Sequence, residues 1–141
     1  MNIYSIYKAT NLINNKVYIG YTFNFNYRLK QHKIQSETGT YPFYQAIREF
    51  GWNNFQWEII YQTKDIIHCK QMEDQFIIEN KSYIAIPNSN GYNYIIGRYG
   101  KKLLSEKYNN IHYNKIDTKN DTHKAVMNMA NECINEIYAL I

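Results

Sequence analysis

The sequence predicts an α+β domain, and three observations carry that prediction. A chain of 141 residues with 45% hydrophobic and 20% charged side chains can form one domain with a real core, plus a short appended segment. Segments rich in Ile and Tyr alternate with segments whose apolar residues recur at helical spacing. The elements marked in this way run in the order ββ-α-α-β-α.

Taken in turn, residues 3–9 alternate loosely between apolar and polar side chains and read as a strand, as does KVYIGY at 16–21. The intervening TNLINN is turn-like, so the two strands form a β-hairpin. Asn24 caps a helix running to about Ser36, with Phe25 and Leu29 four residues apart and directed toward the core. After a loop at 37–40, Pro42 suits the first turn of a short helix, FYQAIREF, and Gly51 suits its end. FQWEIIYQ at 55–62 has the propensity of a third strand. A longer helix is predicted over 65–81, with Ile66, Cys69, Met72, Phe76 and Ile77 on its apolar stripe. PNSNG then breaks the chain, and YNYII continues as a short strand or an extended segment. From Lys101 the pattern weakens: 105–121 is polar and Asn-rich, and 122–141 reads as a terminal helix.

Several classes are excluded. No apolar run approaches the ~18–20 residues of a membrane span, and the opening MNIYSIYKAT lacks a signal-peptide core. Two cysteines, Cys69 and Cys133, are too few for a disulfide framework or a four-ligand zinc site. The expectation is a soluble, intracellular chain with no membrane partner. The 15 tyrosines, together with abundant Asn, Ile and Lys, use AT-rich codons, which points to an AT-rich genome such as a phage, virus or low-GC bacterium. A phage or viral origin would place the chain in a host cytoplasm. The net charge of +4 is unevenly laid out. Residues 1–33 hold Lys8, Lys16, Arg28, Lys30 and Lys33 with no acid; 34–80 are mainly acidic; 81–115 turn basic again. Two basic blocks around an acidic one would suit a polyanion-facing surface, although charge alone favours a solvated lysine surface.

Three sets of residues are candidates for chemistry. The midpoint of Tyr7 and Tyr18 falls inside TNLINN, which would set the two phenols opposite each other on paired strands beside Lys16. Arg28 and His32 are four apart and share a helix face. Arginine offers a planar fork to phosphate oxygens and histidine shuttles protons near neutral pH, although an exposed Arg–His pair has the same spacing. Glu73 lies beside Cys69, Phe76 and Ile77, against the apolar stripe. A carboxylate there is costly unless a divalent cation, an arginine or a helix N-terminus satisfies it. By contrast, His68, Cys69, His123 and Cys133 fit no familiar metal spacing, and Trp52 and Trp57 suit packing better than base stacking.

Together these elements resemble the GIY-YIG nuclease superfamily, in the pattern of its phage and viral homing-endonuclease members. Ser5-Ile6-Tyr7 stands where GIY is usual, with serine in place of glycine, and Tyr18-Ile19-Gly20 is YIG itself. YRLKQH supplies the family arginine at Arg28 with His32 one turn later, MEDQFIIE supplies the helix glutamate at Glu73, and Gly91-Tyr92-Asn93 is similar to the family's asparagine motif. The resemblance covers about residues 1–97. It implies a small three-stranded antiparallel sheet flanked by helices, followed over 98–141 by a basic, Asn-rich linker and a C-terminal helix. It also implies metal-dependent endonuclease action on DNA, with Tyr7, Tyr18, Arg28, His32, Glu73 and Asn93 as the site.

These residue types suit that reaction. Water must attack phosphorus in line while charge gathers on the phosphoryl and leaving 3′ oxygens. Glu73 is expected to hold Mg²⁺ (or Mn²⁺), a hard cation that favours carboxylate oxygen, and Arg28 to clamp a non-bridging oxygen. The resemblance assigns the base to Tyr7, with Tyr18 and His32 as neighbours. Free tyrosine, with a pKa near 10, is only about one part in a thousand phenolate at pH 7, so the metal, Arg28 and Lys16 would have to lower it. His32 is the rival base, since its ordinary pKa already suits the work. Asn93 is expected to fix local geometry by hydrogen bonding. Lys16, Lys30, Lys33, Arg98, Lys101 and Lys102 are expected to follow the DNA backbone, although the last three read equally as a solvated loop. The alternative is a catalytically silent DNA-binding or regulatory module on the same fold, against which the presence of all six site residues speaks. A monomer with one site would nick DNA, and double-strand cleavage would need a weak dimer or sequential cuts. About 40 residues follow the domain, with no zinc-ligand cluster, which leaves homing, degradation or a piece of a longer protein open.

Overall fold

The computed structural model describes residues 2–108 of the chain; the helix expected at 122–141 and most of the stretch before it lie outside them. Strands β1 (Tyr4–Asn11), β2 (Val17–Thr22) and β3 (Phe55–Thr63) form one antiparallel sheet in the order β2-β1-β3. Helices α1 (Phe25–Gln35) and α2 (Pro42–Phe50) precede β3, with a 3₁₀ turn at Trp52–Asn54 between. Helices α3 (Ile66–Glu79) and α4 (Arg98–Lys107) follow it.

Local chemistry explains most of these elements. The hairpin closes because Asn15 takes a positive φ of 63°, which asparagine tolerates, and Asn14 accepts the Lys16 amide at 2.9 Å. Asn24 caps α1 by accepting the Tyr27 amide at 3.1 Å. Pro42 opens α2, and Gly51 ends it at φ 92°. Asp65 caps α3 by accepting the Ile67 and His68 amides.

The central strand is covered on both sides. Ile6 joins Ile19, Cys69, Ile77, Ile96 and Leu104 in one core beneath α3 and α4. Ala9 joins Phe43, Tyr44, Ile47, Phe55 and Tyr92 in a second core beneath α2, against which Tyr18, Trp52 and Trp57 also pack. Both tryptophans therefore serve packing.

Two expectations are corrected here. Tyr7 pairs with Gly20 and Ala9 with Tyr18, so the two tyrosines are diagonal neighbours, with ring centroids 6.3 Å apart, rather than directly opposite. On α1 the face turned inward is polar: Arg28 and His32 are buried, whereas Phe25 and Leu29 are half-buried. The exposed Arg–His pair is thereby excluded.

The segment containing YNYII is extended but forms no strand of its own. It runs beside the outer edge of β2 through isolated parallel bridging at Val17 and Gly91. Asn93 completes this edge with its side chain: Oδ1 accepts the Ile19 amide at 2.9 Å and Nδ2 donates to the Ile19 carbonyl at 2.7 Å. A Cβ at Gly91 would lie 2.5 Å from both the Val17 carbonyl oxygen and the Ser82 Cβ, so only glycine lets the chain approach this closely. Residues 98–107 are a helix rather than a loop. Its first turn receives the buried Asp74 carboxylate, which accepts the Gly97 and Gly100 amides at 2.9 Å each.

Candidate active site

A cleft of about 480 Å³ opens at the β2 edge, between the sheet, α1 and α3. Tyr7 reaches it from β1, Tyr18 and Gly20 from β2, Arg28 from α1, Glu73 and Lys70 from α3, and Asn93 from the edge segment. Five of the six predicted site residues thus line one space. The sixth, His32, lies directly behind Tyr7, its Nε2 2.6 Å from the Tyr7 oxygen.

Each of these groups is held by its element. The Tyr7 ring lies over Gly20, where an added Cβ would sit 2.6 Å from the Tyr7 Cζ. That contact explains why the last residue of YIG carries no side chain. Beside Tyr7 the β1–β3 register slips by one residue, leaving Ile60 as a bulge next to the site. The Tyr18 ring stacks on Phe43, with centroids 4.2 Å apart and planes 3° from parallel. Asn93 fixes the backbone at Ile19, between Tyr18 and Gly20. Ser5, where the family has glycine, is buried and accepts from the Gln62 side chain at 3.0 Å, at the paired β1–β3 edge and outside the cleft lining.

The electrostatics of the cleft are unusual at two points. Burial pushes the Glu73 carboxyl up to about 8, and the neighbouring Asp74 charge adds to this; Lys70, the Tyr21 backbone amide and Arg28 act in the opposite sense. Burial also holds His32 well below its ordinary value, with the Arg28 charge contributing, so the imidazole is neutral. Arg28 itself is buried, and its Nη1 donates to Gln31 at 3.3 Å.

The remaining predicted residues are placed differently. Lys16 is exposed in the hairpin turn, away from the cleft lining, so the cations that line the cleft are Arg28 and Lys70. Lys30, Lys33, Arg98, Lys101 and Lys102 are exposed. The last three recur at i, i+3 and i+4 and share one side of α4. Cys69 is fully buried with its thiol pushed up to about 11, chiefly by burial, and no cluster of three metal-ligating side chains exists among the described residues. No helix among them is long and apolar enough to cross a membrane.

Sequence reasoning missed Lys70 and Asp74. Lys70 was legible, since it lies three residues before Glu73 on the same helix face. Asp74 reads like any solvated helical acid until the fold brings α4 to it.

Two tyrosines of a β-hairpin, an arginine of α1 and a glutamate of α3 line one cleft, and the sequence model of the GIY-YIG catalytic domain matches residues 3–93. The chain belongs to the GIY-YIG endonuclease family. Among solved structures it is similar to the catalytic domain of the homing endonuclease I-TevI, at 27% identity and TM-score 0.56, over 65% of this chain and 98% of that one. A mutant form of the catalytic domain of the intron endonuclease I-TevI matches at 26% identity and TM-score 0.58, over 70% and 99%. No curated protein matches the chain.

Proposed function

We propose that this endonuclease hydrolyses DNA phosphodiester bonds with the help of a divalent metal held at Glu73, and that it is a homing-type enzyme of phage or viral origin. The observation that carries the reading is the convergence of Tyr7, Tyr18, Arg28 and Glu73 on one cleft. GIY-YIG nucleases generally depend on a divalent metal. The donor set here suits Mg²⁺ or Mn²⁺, because a lone carboxylate in a water-accessible cleft matches cations that keep several waters and take further oxygen ligands from phosphate. The metal, when bound, supplies a Lewis acid that stabilises charge on the phosphoryl and leaving oxygens.

The chain's own residues do the rest. Arg28, buried and held by α1, binds a non-bridging oxygen as negative charge grows there. Tyr7 is the base. It alone of the two candidates lines the cleft, and it relays its proton to the lone pair of neutral His32. Tyr18, fixed by Phe43, orients the attacking water or the phosphate. Asn93 keeps β2 in register with the site. Lys70 adds a cation near the scissile phosphate, and the exposed Lys16, Lys30, Lys33, Arg98, Lys101 and Lys102 follow the DNA backbone. One site per chain nicks a duplex, so a monomer cuts one strand and a weak dimer cuts both.

The test is conversion of supercoiled plasmid to relaxed circles by the purified protein in Mg²⁺ and in EDTA. Nicking in Mg²⁺ that stops in EDTA and returns with excess Mg²⁺ is expected. Nicking that continues in EDTA would refute the metal, and none under any metal would refute the activity.

A further inference from the structure

Behind Tyr7 the hydrogen bonds continue through residues that the reaction has not yet used. His32 Nε2 lies 2.6 Å from the Tyr7 oxygen, His32 Nδ1 lies 2.9 Å from the Tyr44 oxygen, and the Tyr44 hydroxyl donates to Gln35 Oε1 at 2.7 Å. A phenol has one proton. With that proton given to Gln35, Tyr44 can only accept from Nδ1, so Nδ1 carries the hydrogen. A neutral imidazole then keeps its lone pair at Nε2, facing Tyr7.

We infer that Tyr44 and Gln35 are positioning residues, which hold His32 in its Nδ1–H form so that Nε2 receives the Tyr7 proton. The inference rests on the reading of Tyr7 as base and adds the direction in which its proton leaves. As the water oxygen bonds to phosphorus, its O–H bond breaks and the proton passes to the Tyr7 oxygen, while the bond from phosphorus to the 3′ oxygen breaks and that oxygen leaves with the bonding pair, to be protonated from solvent. The original Tyr7 proton passes to Nε2, and the imidazolium formed still donates from Nδ1 to Tyr44. In the other tautomer Nε2 would already bear hydrogen and could take nothing from Tyr7.

The surroundings leave this arrangement little freedom. His32 and Tyr44 are each 1% exposed, so bulk water does not compete at Nδ1. Phe43 meets the imidazole edge-on at 82° and Trp57 lies 5.4 Å from it, centroid to centroid, which confines the ring. Gln35, which is only half-buried and lines no part of the cleft, supplies the acceptor that takes the Tyr44 proton. An acceptor at that position fixes hydrogen on Nδ1. Without an acceptor there, the phenol proton loses its bond to Gln35 and is able to turn toward Nδ1.

Two readouts test this on the full chain labelled with ¹⁵N: the tautomer of His32 by NMR, and plasmid nicking alongside DNA affinity. Wild type is expected to show hydrogen on Nδ1. Gln35→Met is expected to populate the Nε2–H form and to nick about tenfold more slowly, with DNA affinity unchanged. Gln35→Glu, which keeps an acceptor, is expected to restore both the Nδ1–H form and the rate. Tyr44→Phe, close in shape, is expected to lose at least as much rate as Gln35→Met. A wild-type His32 protonated on Nε2 would overturn the inference, as would equal rates in Gln35→Met and Gln35→Glu. The tautomer is read without DNA, so an inactive wild type with hydrogen on Nδ1 would sink the nuclease reading while upholding the tautomer assignment.

Discussion

A methyl group on residue 20 would collide with the ring and hydroxyl of Tyr7, and the ring cannot retreat, because His32 and Trp57 close in behind it. Gly20→Ala should therefore leave β2 paired yet displace the Tyr7 oxygen. Cleavage should fall about 100-fold, as misplacements near 1 Å do, while circular dichroism stays unchanged. A variant that cleaves like wild type would show that the Tyr7 position is not critical. Glu73 offers a second test. Its carboxyl is raised from 4.5 to about 8, so the native state keeps a proton that the unfolded chain releases across that window. Metal-free stability should fall as pH rises through it, and Glu73→Gln should lack that fall. Allowing for the partial exposure of the side chain, the difference between pH 5 and pH 9 should be about 2 kcal/mol, read from denaturant midpoints. In the same way, Mg²⁺ affinity should weaken about tenfold per pH unit below about 8, because metal and proton compete for one carboxylate. A pH-independent affinity would remove Glu73 from the metal site.

At the scale of elements, α4 depends on a residue in α3. Gly97 provides no capping side chain, so the first amides of α4 bond to Asp74, buried next in sequence to Glu73. Asp74→Ala should cost about 2–3 kcal/mol of stability and expose Leu104, as measured by urea unfolding and by hydrogen exchange along α4. An unchanged midpoint would mean that α4 caps itself. This dependence is why α4 was not legible in the sequence: its start signal lies 23 residues away. Elements with local signals were legible, including α1 with Asn24, α2 with Pro42 and Gly51, and α3 with Asp65. The polar inner face of α1 was not. Arg28 and His32 look like a solvent face until the fold turns them toward the cleft, and Phe25 and Leu29 then shift to its flank. The hairpin was legible but its register was not, because TNLINN has several asparagines able to take the positive φ that Asn15 adopts.

Over the whole molecule, the candidate residues lie far apart in the chain and close together in the fold. Tyr7, Tyr18, Arg28, Glu73 and Asn93 are spread over 87 positions of chain, and the three-stranded sheet with its flanking segments gathers them around one cleft. Their order along the chain, set beside the family pattern, marked them as candidates before the fold gathered them. What sequence could not supply was depth, such as Asn93 standing in for a strand at Ile19 or Tyr44 among 15 tyrosines being the one behind His32. The central claim is that this cleft cuts DNA through Glu73, whereas exposed basic residues elsewhere bind it. The most direct test compares wild type with Glu73→Gln in Mg²⁺, following plasmid nicking and low-salt DNA binding together. Glutamine mimics the protonated carboxyl that the metal-free fold already accommodates, so the variant should fold, bind DNA within about twofold of wild type, and nick at least 1,000-fold more slowly, on the order expected when a metal's contribution to catalysis is lost. Nicking by Glu73→Gln at the wild-type rate would contradict the account.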